Sequence, residues 1–292
     1  MYFNKYADKI DGAIRGFDVK STKVKIICLF FVAVCILFAI IAMFPAIWVF
    51  LSGFKDLKEL TREATLFPKS FNFSGFKETW DKLNFGLYYK NSFIMVIGSV
   101  ICAIIFNGIL AYGLAILKPK GYQIVNGLVM WSLLIPATTS VVALFVNINR
   151  IGLNKSFIPL WLAYGANAFW VVLFKEFFEG LPPELIEAAR LDGCNVVQVF
   201  YKIVLPLSKP IIMVIVIFAV TAAWSDFLLP YLILNGSGKE TVMVKLYTYS
   251  TSRTTAIDMI RAIFFSLIPP TILFTIFQKQ ITDGAAGGAV KG

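Results

Sequence analysis

The side chains that usually carry out catalysis do not form a catalytic arrangement in this sequence. Histidine is absent from all 292 residues, so the commonest general base and metal ligand is missing. Four cysteines are present, Cys28, Cys35, Cys102 and Cys194, without metal-ligand or paired spacing. No pair of carboxylates lies within an apolar stretch. An enzymatic function is therefore disfavoured.

One short motif resembles part of a nucleotide site. Residues 236–239 read GSGK, which matches half of a phosphate-binding loop. The complete loop needs a glycine at the position of Ile233 and a serine or threonine at the position of Glu240. We therefore expect no nucleotide site and no cofactor in this chain, and a turn at residues 236–239.

Five side chains inside apolar stretches could contact a ligand. Asp226 is an acidic residue in such a stretch, where a charge is costly and has either a functional or a helix-packing role. The other four combine aromatic faces or polar groups that suit a sugar: Tyr164, Asn167, Trp170 and Trp224. Residues of these types more often pack between helices or lie at membrane interfaces.

Long apolar runs separate these candidates and indicate a membrane protein. Hydrophobic residues make up 58% of the chain, against roughly 45–50% in soluble domains. The formal charge of +10 does not indicate nucleic-acid binding, because Lys and Arg lie between the apolar runs and not in a basic stripe.

The runs predict an all-α integral membrane protein with six transmembrane helices. The predicted spans lie at about residues 26–54, 91–117, 124–148, 157–174, 211–234 and 259–277. Residues 1–25 then form an N-terminal segment, residues 26–278 the membrane domain and residues 279–292 a tail. Six Lys or Arg residues precede the first span, which predicts that both termini are cytoplasmic.

The segment between the fourth and fifth spans, residues 179–209, is too polar to cross lipid. Pro182 and Pro183 open a predicted helix, and Gly193 suits the left-handed conformation that ends one. Small and apolar residues on one face of this helix would let another surface approach closely: Leu185, Ala188, Ala189 and Gly193. A second short helix is predicted at residues 196–203, and Pro206 and Pro210 precede the fifth span. From these features alone, an amphipathic interfacial helix-turn-helix is equally compatible.

The same segment resembles the EAA motif of ABC-importer permeases. Glu187, Ala188 and Ala189 are followed by three residues and then Gly193. Nine further residues separate Gly193 from Ile203, and one residue separates Ile203 from Leu205 and Pro206. The resemblance implies a type I importer fold in which this loop couples to a cytoplasmic ATPase. The residues implied in coupling are Glu187, Ala188, Ala189, Asp192, Gly193, Ile203, Leu205 and Pro206.

Other stretches are similar to the MalG-like branch of carbohydrate-importer permeases. They are FGLYYKNSF at residues 85–93, AYGLA at 111–115, GLN at 152–154 and WSDFLLP at 224–230. The resemblance implies a second homologous permease, two ATPase subunits that bind ATP and Mg, a solute-binding protein and a sugar substrate. It also implies a bacterial or archaeal cytoplasmic membrane. Polyols, glycerol phosphate and acidic oligosaccharides are alternative substrates, and an ion-coupled secondary transporter is an alternative class.

The last ten residues, DGAAGGAVKG, are similar to the usual end of this branch, which in the maltose-type member reaches between the ATPase subunits. The resemblance implies tail docking by Gly284, Gly287, Gly288, Lys291 and Gly292. The glycine-rich composition by itself is also typical of a disordered tail.

Deleting residues 284–292 is expected to lower the amount of ATPase that co-purifies with the chain, because the docking peptide is removed. The measurement is the ratio of ATPase to permease after affinity purification in mild detergent. An unchanged ratio would support the disordered-tail interpretation.

Overall fold

The computed structural model describes residues 22–63 and 65–289, and every regular element in these ranges is helical. The helices are α1 Thr22–Ser52, α2 Leu57–Arg62, α3 Ser74–Lys82, α4 Phe85–Tyr112, α5 Tyr122–Ser132, α6 Ala137–Arg150, α7 Ile158–Tyr164, α8 Ala168–Glu179, α9 Pro183–Leu191, α10 Val196–Val199, α11 Leu205–Leu207, α12 Lys209–Ser225, α13 Leu228–Leu234, α14 Val242–Ser250 and α15 Ala256–Ala289. Two π-helical turns, Gly113–Leu117 and Phe200–Val204, follow α4 and α10. The described residues divide into two compact units, with the boundary between residues 71 and 72.

Three described helices are long and apolar enough to cross a membrane: Val24–Ser52, Phe85–Leu117 and Ala256–Gln278. Two bent pairs raise this number to five if each pair forms one span, namely α7 with α8 and the helices of residues 196–207 with α12. The predicted third span is divided into α5 and α6 at residues 133–136, so it is not among them. The all-α membrane class is confirmed, whereas length and composition identify three to five spans among the described residues and not six.

The predicted fifth span, residues 211–234, covers parts of two helices, α12 and α13. The helix α12 ends at Ser225, and Asp226 adopts an extended conformation with φ −66° and ψ 128°. The next helix, α13, begins at Leu228 and is a separate short helix.

The predicted tail also differs from the structure. The helix α15 continues through residues 279–289, so Gly284, Gly287 and Gly288 lie on a helix and not in an irregular peptide. Lys291 and Gly292, and most of the predicted N-terminal segment, lie outside the described residues.

The centre of the second unit is a fully buried stripe on α4. Five residues four positions apart are inaccessible to solvent: Met95, Ser99, Ala103, Asn107 and Ala111. The helix α12 contributes Ile215 and Ala219, which are also fully buried and also four positions apart. Ridges of residues at this spacing fit into each other's grooves, and alanines allow two backbones to approach closely. The helices α7 and α8 pack on α4 as well.

One side chain of the stripe holds the 45° bend between α7 and α8. The Asn107 amide donates to the carbonyl oxygens of Ala103 at 2.8 Å and Tyr164 at 2.9 Å. Its oxygen accepts the backbone N–H of Asn167 at 2.9 Å. These hydrogen bonds satisfy backbone groups that the helix break would otherwise leave unpaired in an apolar environment.

Replacing Asn107 with leucine is expected to destabilise the folded protein by about 2 kcal/mol, because the Tyr164 carbonyl and the Asn167 N–H lose their partner. The measurement is the apparent melting temperature of the purified chain in detergent. Ser99→Ala is the matched control, since Ser99 is equally buried and its hydroxyl has no hydrogen-bond partner within the described chain. Equal melting temperatures for the two variants would contradict the role of Asn107.

Candidate functional site

The polar segment between α8 and α12 folds into a hairpin, here named the coupling hairpin and comprising residues 181–208. Its first helix, α9, has Pro183 at its start and Glu184 in its first turn, where a negative charge complements the helix dipole. The predicted opening of this helix by the two prolines is confirmed.

Gly193 ends α9 with φ +81°, as predicted. The N–H of Cys194 donates to the carbonyl of Ala189 at 3.0 Å, and the N–H of Gly193 donates to Arg190 at 3.1 Å. This pair of hydrogen bonds is the Schellman motif, in which a left-handed residue, usually glycine, satisfies the last carbonyls of a helix. Cys194 also packs against the buried cluster that contains Ala189.

The return half of the hairpin begins with a capping box that the sequence analysis missed. The Asn195 side chain accepts the N–H of Gln198 at 2.9 Å, and the Gln198 side chain accepts the N–H of Asn195 at 2.8 Å. The spacing Asn-x-x-Gln was the available signal. In the structure, the helix predicted at residues 196–203 consists of α10 and the π-helical turn that follows it.

A sharp bend of 80° then leads to α12. Ile203 lies in the π-helical turn and packs on the buried core, whereas Leu205 and Pro206 begin the three-residue helix α11. At the bend, the Ser208 hydroxyl donates to the carbonyl of Val204 at 2.6 Å. The residues Ile203, Leu205 and Pro206 of the EAA motif therefore lie in the connection between the hairpin and α12.

The inner face of the hairpin is attached to the ends of α4 and α8. Ile186 and Ala189 are buried in a cluster with Phe174 and Phe178 of α8. The Tyr112 hydroxyl of α4 donates to the carbonyl of Val196 at 3.0 Å. The prediction that Ala189 lies on the exposed docking face is therefore wrong, because this side chain points into the core.

The outer face carries exposed apolar side chains around Gly193. Leu191 is 89% exposed, and Leu185, Val196 and Val197 are exposed as well. Ala188 and Asp192 lie on the same exposed side of the chain. A contiguous group of exposed apolar side chains is typical of a protein interaction surface.

A cleft of about 370 Å³ lies beside α9. Its charged lining residues are Lys118, Glu179, Glu187 and Arg190. Glu179 is paired with Lys175 at 2.9 Å, whereas no ion pair within the described chain involves Glu187. Glu187 is thus a carboxylate available to a cation from outside the chain.

Four of the predicted ligand-contacting residues meet where the bent helices adjoin. The Tyr164 hydroxyl lies 3.3 Å from an Asp226 carboxylate oxygen, to which it donates. The Tyr164 ring stacks on Trp170 with centroids 5.9 Å apart. Asn167 caps α8 by accepting the N–H of Trp170 at 3.2 Å. These contacts fit the helix-packing role that was one of the two interpretations of Asp226.

The two tryptophans of this set are buried in the fold. Trp170 is 4% exposed and Trp224 is 3% exposed, so neither ring presents a face to a sugar in this conformation. The Trp224 indole N–H donates to the carbonyl of Ser266 at 3.1 Å. The Trp224 ring packs against Tyr89 and Phe93.

The family of the chain is decided by a comparison with protein-family models. The model described as "Binding-protein-dependent transport system inner membrane component" matches residues 103–284, which include α9 to α14 and the whole coupling hairpin. The chain belongs to this family. It is therefore an inner-membrane permease subunit of an ABC importer and not an enzyme.

Several characterised permeases are similar over most of their length. The diacetylchitobiose uptake permease NgcG of Streptomyces coelicolor is 27% identical over 264 residues, covering 89% of this chain and 87% of that protein. The arabinooligosaccharide permease AraQ of Halalkalibacterium halodurans is 30% identical, with coverage of 87% and 93%. The melibiose/raffinose/stachyose permease MelC of Bacillus subtilis is 30% identical, with coverage of 78% and 84%.

A solved structure has the same fold. It is a chain from the crystal structure of a bacterial ABC transporter involved in the import of the acidic polysaccharide alginate. The TM-score is 0.78 at 23% identity, and the match covers 89% of this permease and 98% of that chain. The predicted importer-permease fold is therefore confirmed.

The turn expected at residues 236–239 lies at residues 235–238 in the structure, with Gly236 and Gly238 at positive φ. Within the described residues, no group of three or more Cys, Asp or Glu side chains could hold a metal ion.

Replacing Gly193 with alanine is expected to weaken the hairpin turn by about 1–2 kcal/mol, because a β-carbon is unfavourable in the left-handed conformation. The strain is purely conformational, since the added atom would meet nothing within 4 Å. Hydrogen exchange should show that the Cys194 amide loses protection by about five- to thirtyfold. Gly127→Ala on α5, which is equally unobstructed, should leave that amide unchanged. Equal protection in both variants would contradict the Schellman assignment.

Proposed function

We propose that this permease imports a sugar or an oligosaccharide together with a second, homologous permease. The proposed substrate class rests on the names of the similar proteins. These names refer to diacetylchitobiose, arabinooligosaccharides and raffinose-type sugars. These proteins are matched over most of their chains, so the likeness extends beyond the coupling hairpin. A solute-binding protein delivers the sugar on the side opposite the hairpin.

The coupling hairpin is the docking element for a cytoplasmic ATPase. Exposed Leu185, Leu191 and Val197 supply apolar contact area, and small Ala188 permits close approach. Glu187, at the edge of the cleft, accepts a cationic side chain of the ATPase. Two ATPase subunits bind ATP and Mg, and this chain needs no cofactor of its own.

Movement of the ATPases is transmitted through the inner face of the hairpin. Burial of Ile186 and Ala189 joins α9 to α8, and the Tyr112–Val196 hydrogen bond joins the hairpin to α4. Closure of the ATPase pair on ATP therefore displaces α4, α8 and α12 and opens the path to the binding protein. In this arrangement both termini lie in the cytoplasm.

The charge-reversing change Glu187→Lys is expected to release the ATPase and abolish sugar uptake. The cleft already contains Lys118 and Arg190, so a third cation there repels the cationic partner. Affinity purification in mild detergent should recover about tenfold less ATPase, while the second permease still co-purifies.

Glu176→Lys is the matched control, because Glu176 is an exposed carboxylate of α8 outside the cleft lining. It should retain both the ATPase and uptake. Equal ATPase recovery in the two variants would refute the docking role of Glu187. A chain that purifies alone even when unmodified would contradict the whole assembly.

A further inference from the structure

Three aromatic rings form a cluster at the end of α12 that lies away from the coupling hairpin. They are Phe227, Tyr231 and Tyr247, here named the aromatic triad. Their ring centroids are 5.4 Å apart for Phe227 and Tyr231, 4.7 Å for Phe227 and Tyr247, and 5.2 Å for Tyr231 and Tyr247. Each ring thus touches both others, and Tyr247 is still 43% exposed.

The two tyrosine hydroxyls of the triad are not used by the fold. No hydrogen bond joins either of them to another residue in the described part of the chain. Four other tyrosines donate within the fold: Tyr89 to Phe265, Tyr112 to Val196, Tyr164 to Asp226 and Tyr249 to Leu83. Burial raises the pKa of Tyr249, which keeps its hydroxyl a donor. The Tyr231 and Tyr247 hydroxyls are in contrast available to a ligand.

The triad is held in place by the start of α4. The Asn91 amide donates to the carbonyls of Gly238 and Glu240, both at 3.1 Å, and the Ser92 hydroxyl accepts the N–H of Val242 at 2.9 Å. These bonds fix the turn that precedes α14, the helix of Tyr247. The exposed ring therefore belongs to a rigid element, which is favourable for binding.

The position of the triad is opposite to the ATPase-docking element. The 17 residues of α12 separate it from the hairpin, which is about 25 Å at 1.5 Å per residue. The chain around Tyr247 is also rich in hydroxyl groups, because residues 247–255 read YTYSTSRTT. Such a polar segment is unsuited to face hydrocarbon.

We propose that the aromatic triad is a saccharide-binding site that receives the sugar from the binding protein. The exposed Tyr247 ring stacks on the apolar C–H face of a pyranose or furanose ring, and the Tyr231 and Tyr247 hydroxyls bind its hydroxyl groups. Asp226 precedes the triad in the chain, but its carboxylate already accepts a hydrogen bond from Tyr164. This inference rests on the proposed sugar import.

The test uses the complete importer in liposomes, with its second permease, ATPases and sugar-loaded binding protein. Radiolabelled diacetylchitobiose, arabinotriose and raffinose are the probes, and the measured quantity is sugar imported per ATP hydrolysed. Tyr247→Ala should lower this ratio by about three- to tenfold, which is the range of one aromatic contact. Tyr247→Phe, which keeps the ring, should retain most of it.

Phe73→Ala is the matched control, because Phe73 is a strongly exposed aromatic residue outside the triad, just before α3. It should leave the ratio unchanged. If Tyr247→Ala also leaves the ratio unchanged, or lowers import and ATP hydrolysis together, the triad is an interfacial or structural cluster and the inference is wrong. If the unmodified importer takes up none of the probes, the proposed sugar import fails and the saccharide site fails with it.

Discussion

Close contact between α4 and its neighbours is the constraint on which the rest of the permease depends. The hydrophobic effect contributes little to helix association in lipid, so packing and interhelical hydrogen bonds must hold the helices together. Small residues such as Ala103 and Ala219, both fully buried, allow the backbones of α4 and α12 to approach each other closely. The helices α7 and α8 also pack on α4, and there Asn107 reaches the bend between them.

Two changes of chain direction bound the helix α12. The chain bends at Ser208 between the hairpin and α12, and it leaves the helix at Asp226 before α13 begins. The helix α12 therefore connects the proposed ATPase-docking surface to the proposed sugar site. A displacement at one end is carried along a rigid helix to the other.

Local features of the chain were predictable, and features that depend on distant residues were not. Gly193 and the two prolines specify the hairpin through their own backbone preferences, so the sequence reveals them. The spacing of Leu185, Ala188 and Ala189 defines one helix face, but it does not indicate which edge of that face packs on Phe174 and Phe178. Asn107 was missed because its partners are 57 and 60 positions away.

The Schellman turn at Gly193 and the capping box at Asn195 have a thermodynamic consequence for assembly. Both motifs satisfy the backbone of the hairpin through hydrogen bonds between residues at most five positions apart. The proposed docking element is consequently ordered by the chain itself, which lowers the conformational entropy that association with a partner would cost. A preorganised surface of this kind can be engaged and released in every transport cycle without refolding.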